Sequence, residues 1–218
     1  MKLLLTSNGL ANESIAKALL DLVGKPASET MIVFIPTAMN MARGDKTWFI
    51  NDLYNIKKQG FKFIDIVDIA ALPEKVWLPR LEKGDVLFFS GGNTFYLMYW
   101  LKKTGLLKSL PKLLQTRVYA GISAGSMVTN PSLIFSGADK KEYNKETIGY
   151  CDEDALHFVD FYIQPHFNSH KHPLSDKEHI EAIAEKVDKT VYALDNDSAI
   201  KVVDDQLEII TEGEYWKF

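Results

Sequence analysis

The sequence predicts an α/β fold, a mainly parallel sheet flanked by helices. Three observations predict it. Short, wholly apolar runs recur through the first half of the chain. Amphipathic stretches with helical spacing separate them. After a last such helix, the chain closes with strands at hairpin-like spacing.

The apolar runs come first. Leu3-Leu4-Leu5, Met31-Ile32-Val33-Phe34-Ile35 and Val86-Leu87-Phe88-Phe89 are continuous rather than alternating. Strands buried on both faces read this way, and parallel sheets bury both faces. Phe61 to Val67 is a weaker run, and Val118-Tyr119-Ala120 a very short one.

Helices fit between them. Ile15, Leu19, Leu20 and Val23 share one face, with Gly24 as the stop. Phe49, Leu53 and Ile56 are spaced by four and three, with Gly60 beyond. Leu106, Leu107, Leu110, Leu113 and Leu114 form another stripe. In the late helix, Ser175 and Glu178 read as a capping box before Ile180, Ile183, Ala184 and Val187. Val191 to Leu194, Ala199 to Val203 and Leu207 to Ile210 then read as strands, the last pair joined at Asp204-Asp205. Residues 129–160 carry the weakest pattern and read as a long excursion near the site.

Composition narrows the class. The 218 residues are 46% hydrophobic and 25% charged, an ordinary globular balance. No linker, repeat or low-complexity segment divides them, so residues 1–218 are read as a single α/β domain. A net charge of -4 does not suit phosphate neutralisation, so no nucleic-acid partner is expected. One cysteine, Cys151, excludes an internal disulfide framework. The apolar run at the N-terminus is too short for a signal peptide, and no stretch approaches the ~20 apolar residues of a membrane span. A cytoplasmic protein with no membrane partner is expected.

Three motifs can carry chemistry. Gly121-Ile122-Ser123-Ala124-Gly125 matches G-x-S-x-G directly after a short strand, the context of a nucleophile elbow. The turn is so tight that residues beside the serine must be small. Ser90-Gly91-Gly92-Asn93-Thr94-Phe95 follows another strand, and ligands of open α/β sheets sit beyond the carboxyl ends of strands. The N–H groups of Gly92 and Ala124 are the candidate oxyanion donors, and Asn93 or Thr94 caps the next helix.

The third motif is Gln164-Pro165-His166-Phe167-Asn168-Ser169-His170-Lys171-His172. A serine hydroxyl needs a base, most often histidine, and His166 falls at the end of the apolar stretch Phe158 to Ile163. His166, His170 and His172 also present three metal-ligand nitrogens. Pro165 and Pro173 break the helix that would space them, so no metal and no cofactor is expected. The acid that orients the base is open among Asp139, Asp195 and Asp197. Cys151 lies among acidic residues that disfavour a thiolate.

Together, Gly91-Gly92-Asn93-Thr94-Phe95, Gly121-Ile122-Ser123-Ala124-Gly125 and Pro165-His166-Phe167 resemble the peptidase E family, α-aspartyl dipeptidases related to the cyanophycinases. Phe34-Ile35-Pro36-Thr37-Ala38 adds to the resemblance, which runs from about residue 30 to residue 203. It implies a fold similar to class I glutamine amidotransferase domains, with serine where those relatives have cysteine. It implies Ser123 as nucleophile, His166 as base, Gly92 and Ala124 as oxyanion donors, and Asn93 beside the substrate. For the acid, dipeptidase-type members carry an aspartate shortly after the elbow, which with a one-residue slip is Asp139. Cyanophycinase-type members carry a glutamate near the position of Asn196, where this chain has asparagine between Asp195 and Asp197. The reading taken is Asp139.

The implied function is serine-dependent hydrolysis of short peptides, dipeptides with N-terminal aspartate above all. A cyanophycinase-like or other peptidase of the same fold, or a silent small-molecule-binding relative, are the alternatives. A substrate aspartate wants a cation, and His170, Lys171, Lys140 and Arg43 are the candidates. The expected partner is a small peptide, and the expected state a monomer or homodimer.

Overall fold

The computed structural model describes residues 1–218, the side chain of Pro173 excepted. Its strands, in chain order, are β1 (Lys2–Thr6), β2 (Met31–Ile35), β3 (Phe63–Ile66), β4 (Val86–Phe89), β5 (Val118–Ile122), β6 (Tyr162–Pro165), β7 (Val191–Leu194), β8 (Ser198–Val203), β9 (Gln206–Thr211) and β10 (Tyr215–Lys217). Its helices are α1 (Glu13–Val23), α2 (Thr47–Lys57), α3 (Glu74–Lys83), α4 (Thr94–Lys103), α5 (Leu106–Leu113), α6 (Ala124–Met127), α7 (Ala138–Ile148) and α8 (Lys177–Ala184).

The main sheet has seven strands in the order β3-β2-β4-β5-β1-β8-β9. The first five are mutually parallel, and β8 and β9 add an antiparallel edge. The expected mainly parallel sheet flanked by helices is what forms. Alternate residues of each run serve opposite faces. Leu4, Phe34, Phe88 and Ala120 pack with Ile15, Leu19 and Ile56 from α1 and α2. Leu3, Leu5, Val33, Leu87, Phe89 and Tyr119 pack with Trp77, Phe95, Leu101 and Leu110 from α3, α4 and α5. Both faces are covered, which is why these runs do not alternate with polar residues.

Local chemistry sets the element ends. Asn12 caps α1 by accepting from the Ile15 N–H, and Gly24, with φ 77, closes it through its N–H to Leu20 C=O. The late helix begins differently from the sequence reading. Asp176, not Ser175, is its N-cap and accepts from the His179 N–H at 2.9 Å. The Ser175 hydroxyl instead accepts from Gln164.

Two further differences lie late in the chain. Residues 129–160 are not a plain excursion but contain α7, whose sole buried residue is Asn144. A helix with no apolar stripe leaves no periodic signature. The run Val191 to Leu194 joins a separate three-stranded sheet, β10-β7-β6, rather than the main one. That small sheet packs through Tyr162, Val191 and Ala193 against Met127, Phe135 and Ile180. Because β7 and β6 are parallel, His166 and Leu194-Asp195-Asn196 emerge at the same end.

Candidate active site

Parallel strands deliver their carboxyl ends to one edge, and there the loops after β1, β4 and β5 meet. Ser123 follows β5 with φ 47 and ψ -102, a conformation sterically costly for a residue with a Cβ. The flanking glycines are required by contact. A Cβ on Gly121 would lie 2.5 Å from the Gly125 carbonyl, and one on Gly125 would lie 2.3 Å from Phe89 O. The turn is held from β1. Ser123 N–H donates to Thr6 O at 3.0 Å, the Thr6 hydroxyl donates to Gly121 O at 2.7 Å, and the Ser126 hydroxyl donates to Thr6 O at 2.8 Å. Ser123 O accepts from the Ser126 and Met127 N–H groups, which starts the single turn of α6. The Ala124 N–H heads that turn and has no acceptor within it.

His166 follows β6 with φ 63, and its N–H donates to the Ser7 hydroxyl at 2.9 Å. Its Nε2 lies 2.9 Å from Ser123 Oγ and its Nδ1 lies 2.8 Å from Asn196 Oδ1. With the Nδ1 proton donated to the Asn196 carbonyl oxygen, Nε2 is left to accept from the serine hydroxyl. The ring of His172 stacks on that of His166, centroids 4.1 Å apart. Burial, then the neighbouring His172, pulls the His166 imidazole down to about 4; the Asn196 hydrogen bond works against this, and Lys140 adds to it.

The third position corrects the sequence reading. Asn196 is the hydrogen-bond partner of His166 Nδ1, and none of Asp139, Asp195 or Asp197 is. Asp139 sits on the first turn of α7, its carboxylate folded back over Gly137. Asp195 is committed to a turn, accepting from Ser198 Oγ at 2.5 Å, Glu214 N–H at 2.6 Å and Asp197 N–H at 3.0 Å. Asp197 is exposed. The residue between the two aspartates, noted in the sequence for its amide, is the one aimed at the imidazole.

The glycine loop after β4 lies against the serine. A Cβ on Gly91 would sit 3.7 Å from Ser123 Cβ and 3.4 Å from Trp48. Gly92 has φ 135, and a Cβ there would fall 2.2 Å from Ala38 O, so only glycine fits. Asn93 is 2% exposed and its side-chain oxygen caps α4 by accepting from the Tyr96 N–H at 3.0 Å.

Ser123, His166, Asn196, Gly92, Asn93 and Asp139 all line one cavity of about 840 Å³, a size suited to a small ligand. Of the expected cations, Arg43, Lys140 and Lys171 line it and the exposed His170 does not. The Arg43 guanidinium stacks 4.4 Å over the ring of Tyr143. Lys140 Nζ lies 3.4 Å from Gly92 O, and burial holds its pKa below the usual lysine value, with Asp139 opposing. Among the described residues, no group of three His, Cys, Asp or Glu side chains is placed to hold a metal. The two ring nitrogens of His166 are engaged by Ser123 and Asn196 instead.

Residues missed by sequence reasoning include Thr6 and Ser7, which brace the turn, and Trp48 and Asp52, which wall the cavity. Short polar residues after an apolar run are too common to single out Thr6 or Ser7. Asp52 carried one signal, a carboxylate between the apolar positions Phe49 and Leu53.

A mainly parallel sheet with helices on both faces, and a serine and histidine in contact at its carboxyl edge, define an α/β protein with the polar pair that nucleophilic hydrolases use. The chain belongs to peptidase family S51, whose model matches residues 3–210. It is 30% identical over 151 residues to the uncharacterized peptidase PM1590 of Pasteurella multocida, covering 69% of this chain and 70% of that one. It is 27% identical over 188 residues to a peptidase E of Streptomyces coelicolor, covering 83% and 74%. A crystal structure of a protein from Listeria monocytogenes EGD-e, described as a candidate peptidase E, superposes with a TM-score of 0.78 at 25% identity, covering 97% and 98%. No helix of the structure is long and apolar enough to cross a membrane.

Proposed function

We propose that the chain hydrolyses short peptides, above all dipeptides that begin with aspartate, with Ser123 as the nucleophile. The observation that carries the reading is the serine–histidine–asparagine relay, Ser123 Oγ to His166 Nε2 at 2.9 Å and His166 Nδ1 to Asn196 Oδ1 at 2.8 Å. His166 takes the hydroxyl proton as Ser123 Oγ attacks the scissile carbonyl carbon. It returns that proton to the leaving amine, and water then releases the acyl group by the same steps in reverse order. Asn196 holds the imidazole in the tautomer that leaves Nε2 free, a part that asparagine also plays in cysteine peptidases. The Gly92 and Ala124 N–H groups take the developing oxyanion. One such donor is worth about 10² to 10³ in rate.

The preference for aspartate rests on likeness to proteins named peptidase E and on one feature of the cavity. Lys140 is a desolvated cation beside Gly92, at the reacting centre, with no carboxylate hydrogen-bonded to it. A substrate carboxylate supplies that partner. The test is release of free aspartate from Asp-Leu, with Leu-Leu as the comparison, by the native chain and by Ser123→Ala. Cleavage of Asp-Leu alone, lost in the variant, is the expected result. Cleavage that survives Ser123→Ala overturns the mechanism, and equal cleavage of both dipeptides overturns the specificity.

A further inference from the structure

Asp52 has no part in the relay, yet it is the most conspicuous charge in the same cavity. It lies on α2, which Phe49, Leu53 and Ile56 anchor to the α1 face of the sheet. The residue is 5% exposed, and its Oδ2 has no hydrogen-bond partner. The carboxylate sits at the loop after β1, close to the strand that carries the serine. A Cβ built on Gly9 would lie 3.5 Å from Asp52 Oδ1 and 3.1 Å from Cδ1 of Ile122, the residue before Ser123.

A buried carboxylate without a partner is expensive to keep. Here burial pushes the Asp52 carboxyl up to about 7. Among the described residues it has no counter-ion. Arg43 is stacked on Tyr143 and Lys140 lies at the Gly92 carbonyl. Asn8, Asn51 and Asn55, which line the same cavity, are neutral amides. Asp52 lines the cavity, and a carboxylate there with no donor of its own is completed by a cationic hydrogen-bond donor from outside.

We propose that Asp52 receives the α-ammonium group of the substrate. The inference rests on the peptidase reading above and adds a specificity residue to it. A substrate with N-terminal aspartate carries an ammonium and a carboxylate on neighbouring carbons. Asp52 and Lys140 give the cavity one complementary charge for each. Rejection of a substrate that lacks the ammonium follows from the same physics, since it leaves the buried carboxylate unpaired.

The experiment is calorimetric binding to the Ser123→Ala chain, in which nothing turns over. The probes are Asp-Leu and succinyl-Leu, the same molecule with hydrogen in place of the ammonium. Asp-Leu is expected to bind about 10- to 10²-fold more tightly. In the double variant with Asp52→Asn, the two are expected to bind within about threefold of each other, converging by loss of Asp-Leu affinity. Equal binding of both probes to Ser123→Ala, or a preference that survives Asp52→Asn, overturns the inference and leaves the peptidase reading intact. Failure of both probes to bind Ser123→Ala overturns the aspartyl-dipeptide reading and the inference with it. Should Asp52→Asn fail to fold, Asp52→Ser in the same Ser123→Ala background makes the comparison.

Discussion

The carbonyl oxygen of Asn196 lies 2.8 Å from Nδ1 of His166, so a neutral amide and not a carboxylate holds the imidazole. An amide fixes the tautomer but adds little charge stabilisation to an imidazolium. Asn196→Ala is expected to lower kcat about 10²-fold with little change in KM, because general-base positioning acts in the transition state. Asn196→Asp is expected to raise the pH at which activity falls on the acid side. Steady-state kinetics on Asp-Leu checks both, and an unchanged kcat in Asn196→Ala removes Asn196 from the mechanism.

In the proposed mechanism the neutral form of His166 is the working base, and burial and its cationic neighbours hold its pKa near 4. At saturating substrate kcat is therefore expected to be flat through the range where an ordinary histidine titrates and to fall only near pH 4, whereas kcat/KM also carries the Asp52 ionisation near 7. The same shift sets a stability trend. Between about 4 and the ordinary 6.5, the unfolded chain binds a proton that the folded chain does not. Stability is lost as pH falls through that window, by at most about 3 kcal/mol. A kcat profile with an acid limb at 6 to 7 contradicts this.

Asp52 acts in the opposite sense. Its folded pKa, about 7, lies above the unfolded 3.8, so between them the folded chain holds the extra proton. Its contribution falls as pH rises through the window, and the penalty is complete above about 7. Asp52→Asn is expected to raise Tm at pH 8, by up to about 4 kcal/mol in free energy, and to change it little at pH 4. Thermal melts at the two pH values check this. A gain of the same size at both values, or none at pH 8, removes the unpaired charge as its cause.

Lys140→Met keeps the length of the stem and removes the charge. KM for Asp-Leu is expected to rise at least about tenfold while kcat moves less, since the lost ion pair is made in ground and transition state alike. The acid limb is expected to shift upward slightly as a cation near His166 disappears. An equal loss on Leu-Leu and Asp-Leu contradicts a carboxylate-reading role.

Gly125→Ala tests the turn itself. The new Cβ would lie 2.3 Å from Phe89 O, a backbone atom of a central strand that cannot yield. A destabilisation of about 3 kcal/mol is expected, seen as a lower denaturant midpoint. A variant as stable as the native chain implies that β4 and β5 separate more freely than their packing indicates.

The parallel strands, α1, α2, α5 and the late helix were legible because each carries a run or stripe that only one kind of element can bury. The stretch 129–160 was not. α7 offers one buried residue, Asn144, and is placed by the contacts of its ends rather than by a pattern. β10 was missed because Tyr215, Trp216 and Lys217 are all exposed and pair only with β7.

For the site, the sequence by itself determined what is local. A tight turn needs Gly121 and Gly125 within two residues of Ser123, and a left-handed or close-packed backbone needs Gly92, so these positions announce themselves along the chain. Tertiary structure alone decided what meets across it. Asn196 faces His166 because β6 and β7 run side by side and end together, 30 residues apart in sequence. Asp195 and Asp197, chemically stronger candidates for the same place, point elsewhere because consecutive residues in a turn cannot share one direction. Asp52 borders the cavity because the apolar side of α2 fixes the rotation of that helix. Which side chain completes a site depends on the packing of distant elements, and that is set by burial over the whole fold.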